Sequence, residues 1–266
     1  MMLRVNRHLS IFSALGLTAI AAAGAAAGQP VMQWPDAKQA AIVLTYDDAL
    51  RSHLDVALPQ LDAAGLKGTF FLSGTLPQED VGRWRKAAAA GHELGNHSVF
   101  HPCAKGTFEM PEQYTNERYS VKTMLTEIGV MNTLLHAIDG LAEHTFATPC
   151  GQTVVGGEDY IAALRSSGLV KYVRAAGPPI ADGRDPFNVP SMFFPDTVTG
   201  AELIAFVEAT SKRGGLGVMG FHGVGGDYLM VSADAHRQLV QYLKAHQDTI
   251  WVATFRQAMD YTQKAR

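Results

Sequence analysis

The sequence predicts an α/β protein built on a parallel sheet covered on both faces, and three observations carry that expectation. Short apolar runs alternate with longer helical patterns. The runs are apolar throughout rather than at every second position, and no repeat, low-complexity tract or linker interrupts residues 36–262. Continuous apolar strands separated by helices are what parallel strands buried on both sides require. With 266 residues, 47% hydrophobic and only 18% charged, the chain can bury one large core and is not a disordered polymer. A barrel and a doubly wound sheet both fit this length, and both place chemistry at the C-terminal ends of strands.

The elements follow in order. AAIVLTY (40–46) reads as a buried strand, and HLDVALPQLDAAG (53–65) as a helix closed by glycine. GTFFLSG (68–74) is the next strand, DVGRWRKAAAAG (80–91) the next helix, and HELGNHS (92–98) a short strand running into a loop. Residues 112–138 form the longest helical pattern. Further strands are expected at 144–149, 169–176, 215–222 and 250–255, and helices at 157–167, 200–213, 232–246 and 255–263.

Residues 1–8 carry Arg4 and Arg7 and no acid, residues 9–27 are uncharged, and the run ends in Ala25-Ala26-Ala27. A positive stub, an apolar run and a small-residue exit make a secretory signal peptide over 1–27, with a single catalytic domain over 28–266. Its removal takes two arginines and lowers the formal charge from −3 to −5. The mature chain is then expected to be exported, periplasmic or extracellular, without stable membrane insertion. An acidic balance excludes a nucleic acid partner bound by counterion release. Two cysteines cannot build a zinc ribbon, so a metal would rest on His and carboxylate.

Polar residues gather at the strand ends. The first strand ends in Thr45-Tyr46-Asp47-Asp48. Adjacent carboxylates point in different directions, so one can hold a metal while its neighbour acts as a base; a solvated turn is the plainer reading. His97 and His101, four apart, can present both imidazoles to one side of a turn. His222 follows a late strand and precedes a glycine-rich loop, a place for a proton donor or for a structural imidazole. Phe146-Ala147-Thr148-Pro149-Cys150-Gly151 is a fourth strand-end segment.

Taken together and in this order, TYDD (45–48), HSVFH (97–101), the Pro-x-Gly turn (149–151) and His222 resemble the successive motifs of the metal-dependent polysaccharide deacetylases, carbohydrate esterase family 4. The resemblance covers roughly residues 38–260. It implies an irregular (β/α) barrel of seven or eight parallel strands. It also implies a divalent cofactor, zinc first, held by Asp48, His97 and His101, with Asp47 as general base and His222 as general acid. The partner would be an acetylated carbohydrate, losing N- or O-linked acetyl groups. Alternatives are a same-fold hydrolase of small cyclic amides or imides, and an inactive glycan-binding module. A backbone N–H near Tyr46 is expected to help stabilise the oxyanion, with Phe221 in an altered acyl pocket and Asp227 and Tyr228 near substrate on a glycine-rich loop. Trp84, Tyr114, Phe193 and Tyr228 could form sugar platforms, although core packing is the plainer role for any one of them.

Two departures from the family pattern stand out. Ala147 occupies the place of an arginine that holds the base, leaving Arg174 as the candidate replacement; without one, Asp47 would titrate higher. The acid that orients His222 has no clean match, and Asp185 is the candidate. Cys103 and Cys150 fall on one rim of a barrel, so they are expected to form a disulfide in an oxidising compartment.

Overall fold

The computed structural model describes residues 32–177 and 185–264; the expected signal peptide lies outside the described residues. In chain order the strands are β1 (Ala40–Asp47), β2 (Thr69–Leu72), β3 (Glu93–Asn96), β4 (Phe146–Ala147), β5 (Val154–Val155), β6 (Glu158–Asp159), β7 (Val173–Ala176), β8 (Val189–Phe193), β9 (Leu216–Phe221) and β10 (Ile250–Ala253). Seven of them, β1-β2-β3-β4-β7-β8-β9, pair in parallel and close through β9 onto β1. β5 and β6 form a separate antiparallel pair.

β10 is the eighth strand of the sheet and lies beside β1 outside the closed set of seven. Ala40–Val43 pairs with β10, whereas Thr45–Asp47 on the same edge pairs with β2. One long strand thus serves two short neighbours, and the barrel is irregular at that seam.

The helices are α1 (Leu58–Ala64), α2 (Val81–Ala89), α3 (Val121–Asp139), α4 (Ile161–Ser167), α5 (Gly200–Arg213), α6 (Ala233–Ala245) and α7 (Phe255–Lys264). α1 is preceded by a π-helical turn, His53–Ala57. The long helix starts at Val121 rather than at 112, because Ser120 Oγ accepts the Thr123 N–H at 3.1 Å and fixes the start there. Residues 112–118 form two 3₁₀ turns instead. β8 was not anticipated: Pro190 and Pro195 punctuate that segment and disguise a strand.

Every residue of β1 is buried, yet the two faces differ. Ile42, Leu44 and Tyr46 point outward into the helical layer, packed with Leu61, Phe70, Phe221 and Leu239. Ala41 and Val43 point inward, with Phe71, Val189, Val218 and Ala253. This alternation carries Asp47 to the inner side at the strand's end. By the same count along β9, Leu216 and Val218 are inward, so Gly220 and His222 follow them at the barrel mouth.

Candidate active site

The C-terminal rim of the barrel surrounds a cavity of about 960 Å³ lined by Asp47, Asp48, His97, His101, Arg174 and His222 among others. Asp47 is buried and its Oδ2 receives a 2.6 Å bond from Arg174 Nη2. Arg174 lies on β7 directly in register with Ala147 on β4. The arginine missing at 147 is therefore supplied by the neighbouring strand. Its guanidinium sits between Phe71 and Phe193, 5.0 Å from each ring centre, and Nη1 donates to Ser191 Oγ at 3.1 Å. Burial pushes the Asp47 carboxyl up, but Arg174, with His97 and His222, outweighs this and holds it below the ordinary aspartate value. The expected upward titration of an unpartnered Asp47 is thus reversed.

Asp48 turns away with φ +79°, and its N–H donates to Phe71 O at 3.1 Å. Its Oδ1 stands 3.4 Å from both His97 Nε2 and His101 Nε2, which are 3.1 Å from each other. His97 Nδ1–H donates to Ala147 O at 2.8 Å, so the Nε2 lone pair faces the others. Burial pushes His97 down to about 4; burial, reinforced by His97, does the same to His101. Both rings are neutral near pH 7.

Asp48 Oδ1, His97 Nε2 and His101 Nε2 are three donor atoms close enough together to share one cation. Tetrahedral ligands at about 2.0–2.1 Å from zinc stand roughly 3.3 Å apart, which is the spacing seen. Two neutral imidazoles and a carboxylate are also the donor types that zinc accepts, so the residues present fit the ion.

The histidine loop is held from outside. Glu127 of α3 accepts the N–H groups of Val99 and Phe100, both at 3.1 Å, and the Tyr119 hydroxyl also donates to it. Ser98 (φ +61°) and His101 (φ +52°) adopt left-handed backbone, which Asn96 and Ser98 side chains stabilise by accepting the N–H of Ser98 and His101. A disulfide joins Cys103 to Cys150, with Cα atoms 5.9 Å apart, and His101 Nδ1 lies 3.6 Å from Cys103 Sγ.

His222 stands across the cavity, its Nε2 3.8 Å from Asp48 Oδ2 and its ring 5.1 Å from Phe193. His53, which sequence reasoning missed, donates Nε2–H to the His222 carbonyl at 2.7 Å. Ser52 Oγ accepts the Val224 N–H at 3.2 Å. A buried histidine inside a helical pattern gave no sequence signal of this role.

Several expectations need correction. Asp185 does not serve His222; it takes a two-oxygen contact from Arg165 at 2.7 and 2.9 Å and accepts the Phe187 N–H. Tyr46 and Phe221 are fully buried on the outer face, stacked together at 5.5 Å, and Tyr46 OH bonds His236 Nε2 at 2.7 Å. Neither side chain lines the cavity, and the backbone N–H groups near Tyr46 are a separate matter. Asp227 Oδ2 instead accepts the Ser52 N–H at 2.8 Å, bracing the loop. Trp84 is wholly buried beside Phe70, so of its two expected roles it takes core packing and not the sugar platform. Tyr228 does line the cavity, and its hydroxyl donates to Asp48 Oδ2 at 2.9 Å. Tyr114 and Phe193 also line it, Tyr114 stacked on Phe100 with ring centres 4.3 Å apart.

Among the described residues, no helix is long and apolar enough to cross a membrane.

The family model for polysaccharide deacetylase matches residues 35–170. A gellan lyase from a Bacillus species is 30% identical over 141 residues, 52% of this chain and 5% of that protein. The uncharacterized protein YlxY of Bacillus subtilis is 44% identical over 50 residues, 19% of this chain and 16% of that protein. The matches thus span only a small part of these relatives' lengths. Solved structures share the fold over most of the chain. A Mycobacterium smegmatis protein assigned as a polysaccharide deacetylase aligns with TM-score 0.63 and 19% identity, covering 88% of this chain and 93% of its own. The peptidoglycan deacetylase PdaC of Bacillus subtilis aligns with TM-score 0.52 and 21% identity, covering 84% and 92%. A family 4 acetyl xylan esterase from Clostridium thermocellum, in complex with a cobalt ion, aligns with TM-score 0.55 and 17% identity, covering 85% and 96%.

Proposed function

The chain belongs to the polysaccharide deacetylase family, and from that premise we propose that it is an exported, metal-dependent hydrolase removing acetyl groups from a carbohydrate. One observation carries the reading: Asp48, His97 and His101 converge within 3.1–3.4 Å beside a carboxylate that has its own buried arginine. An inactive module has no use for that arrangement. Export is supported by the sequence of residues 1–27 and by a disulfide, which persists in oxidising compartments.

Asp48, His97 and His101 would hold a divalent ion, zinc by the chemistry of the donors, and when bound it would supply Lewis acidity toward water and an acyl carbonyl. The protein's own groups divide the remaining tasks. Asp47 accepts the proton of the attacking water; its Oδ1 is buried without a hydrogen-bond partner, while Oδ2 is fixed by Arg174. Arg174 keeps the carboxylate ionised and aimed. Tyr228 holds Asp48 through Oδ2. His222, anchored through its backbone by His53, donates a proton to the departing nitrogen or oxygen.

The test is acetate release by the zinc-loaded and the metal-stripped protein from acetylated chitooligosaccharides, peptidoglycan and acetylated xylan. Release from at least one substrate that depends on the metal is expected. No release from any of them overturns the reading.

A further inference from the structure

We infer that Asp227 is a positioning residue for the metal site: bonded to Ser52, it seats Tyr228 against Asp48 and so sets how tightly Asp48, His97 and His101 bind their ion. The inference rests on the metal site of the reading above. Asp227 does not itself line the cavity. Its Oδ2 accepts the Ser52 N–H at 2.8 Å, and the next residue, Tyr228, donates its hydroxyl to Asp48 Oδ2 at 2.9 Å. The tyrosine bond decides which oxygen of Asp48 is left for the ion. Oδ2 is taken, and Oδ1 faces His97 Nε2 and His101 Nε2 at 3.4 Å each. A carboxylate fixed through one oxygen has its orientation set before the ion arrives, which raises its worth as a ligand.

Tyr228 needs such help. Its side chain is 53% exposed, so little packing fixes it. Its backbone lies between two left-handed residues, Asp227 (φ +63°) and Leu229 (φ +45°). A conformation of that kind persists only where its surroundings over-determine it. The loop first ties itself together. Gly223 N–H donates to Tyr228 O at 3.1 Å, Val231 N–H to Gly223 O at 3.0 Å, and Gly225 N–H to Val231 O at 2.8 Å. These bonds close the loop on itself without aiming it at Asp48. The aim comes from Ser52 and His53, which bind the loop at three points: the Asp227 carboxylate, the Val224 N–H and the His222 carbonyl. Of the three, only the Asp227 bond adjoins Tyr228. Ser52 is buried in the first turn of the helical stretch 51–64, where backbone N–H groups lack a partner within the helix and favour a carboxylate. It also follows Asp48 by four positions, so Asp48, Ser52, Asp227 and Tyr228 form a short closed circuit.

The experiment measures the zinc affinity of the metal-stripped full chain by competition with a fluorescent chelator, together with the melting temperature of the metal-free form. The variants are Asp227→Gly, Asp227→Asn, Tyr228→Phe and the double variant of Asp227→Gly with Tyr228→Phe. Glycine accepts the left-handed backbone, so the first change removes the carboxylate without straining the chain. Asparagine keeps that backbone and an acceptor oxygen but not the charge. Asp227→Gly and Tyr228→Phe are each expected to weaken zinc binding by roughly 10-fold, the lower end for a partner that orients a metal ligand. Asp227→Asn is expected to bind zinc as the wild type does, and the double variant no worse than either single one. Unchanged affinity in Asp227→Gly overturns the inference, even with a lower melting temperature, because a merely structural brace gives that result. Losses that multiply in the double variant overturn the route through Tyr228. An Asn variant as weak as the Gly variant also overturns it, since charge near the ion would then be the cause. Should Asp227→Gly fail to fold, Tyr228→Phe decides, and unchanged zinc affinity there removes the last step of the circuit. A wild type that binds no zinc removes the metal site and the proposed function together. A wild type that binds zinc but releases no acetate removes the deacetylase reading alone, and the zinc affinities still decide the role of Asp227.

Discussion

Arg174 Nη2 lies 2.6 Å from Asp47 Oδ2, two residues 127 positions apart brought together across the barrel mouth. Both are buried, so the pair is shielded from water and salt. Arginine at this point comes from β7 rather than β4, and the registered partners Ala147 and Arg174 mark the exchange.

Arg174→Ala is expected to raise the Asp47 pKa, because the main group lowering it is gone while burial still pushes upward. The acidic limb of the kcat/KM profile should move to higher pH. A depressed carboxyl stabilises the fold above its unfolded value of 3.8 and loses that contribution as pH falls through the folded value, so the variant loses it at neutral pH. Leaving one buried partner alone costs about 3–5 kcal/mol. Denaturant melts at pH 7 and a pH–rate profile check both parts; an unmoved limb would remove Arg174 from the chemistry.

Asp47 and Asp48 are adjacent but turn to different neighbours, and substitution should separate them. Asp47→Asn is expected to keep bound zinc and lose about 10²–10⁴-fold in turnover. Asp48→Ala is expected to lose the metal first, measured by elemental analysis and by zinc titration of the stripped protein. Exchanged outcomes would exchange the roles.

Three buried histidines and the partly buried His101 make the metal-free protein acid-labile. Burial sets His53, His97 and His101 at about 4 and His236 at about 3, against 6.5 unfolded. Folded values below unfolded ones mean that the unfolded chain takes up protons first. Stability should be complete above about pH 6.5 and fall as pH drops toward 4, by roughly 1.4 kcal/mol per pH unit for each proton difference. Circular dichroism during acid titration follows the transition. A metal-free protein equally stable at pH 7 and pH 4.5 would contradict this picture.

The Cys103–Cys150 bridge closes a span of 47 positions. Replacing both by serine should cost about 4 kcal/mol on the chain-entropy account. It should also weaken zinc binding, because His101 packs against the bridge. Thiol titration of the denatured, unreduced wild type should find no reactive group.

Much of the barrel was legible in the sequence because its strands are continuous apolar runs, and the motif residues stand directly at their ends. What was not legible followed from the same property. β1 is buried on both faces, so nothing in its sequence says that Tyr46 faces the helices while Asp47 faces the cavity. Only the packing of Ala41 and Val43 inward fixes that phase. Phe221 was misread for the same reason beside inward His222. Arg174 was legible as a candidate, but its claim on Asp47 depends on the β4–β7 register. Glu127 and Ser52 act through backbone N–H groups of distant loops, and a sequence carries no sign of such partners.

The disulfide also divides the site in a way that a protease can read out. The stretch from Lys105 to Glu109 is exposed and lies between the two bridged cysteines. One tryptic cut after Lys105 leaves Asp47, Asp48, His97 and His101 on the first fragment, and Arg174, His222 and Tyr228 on the second. The bridge alone links the fragments covalently. They should migrate as a single band on a non-reducing gel and part only with thiol, so that the nicked protein keeps both halves of its catalytic rim in one molecule.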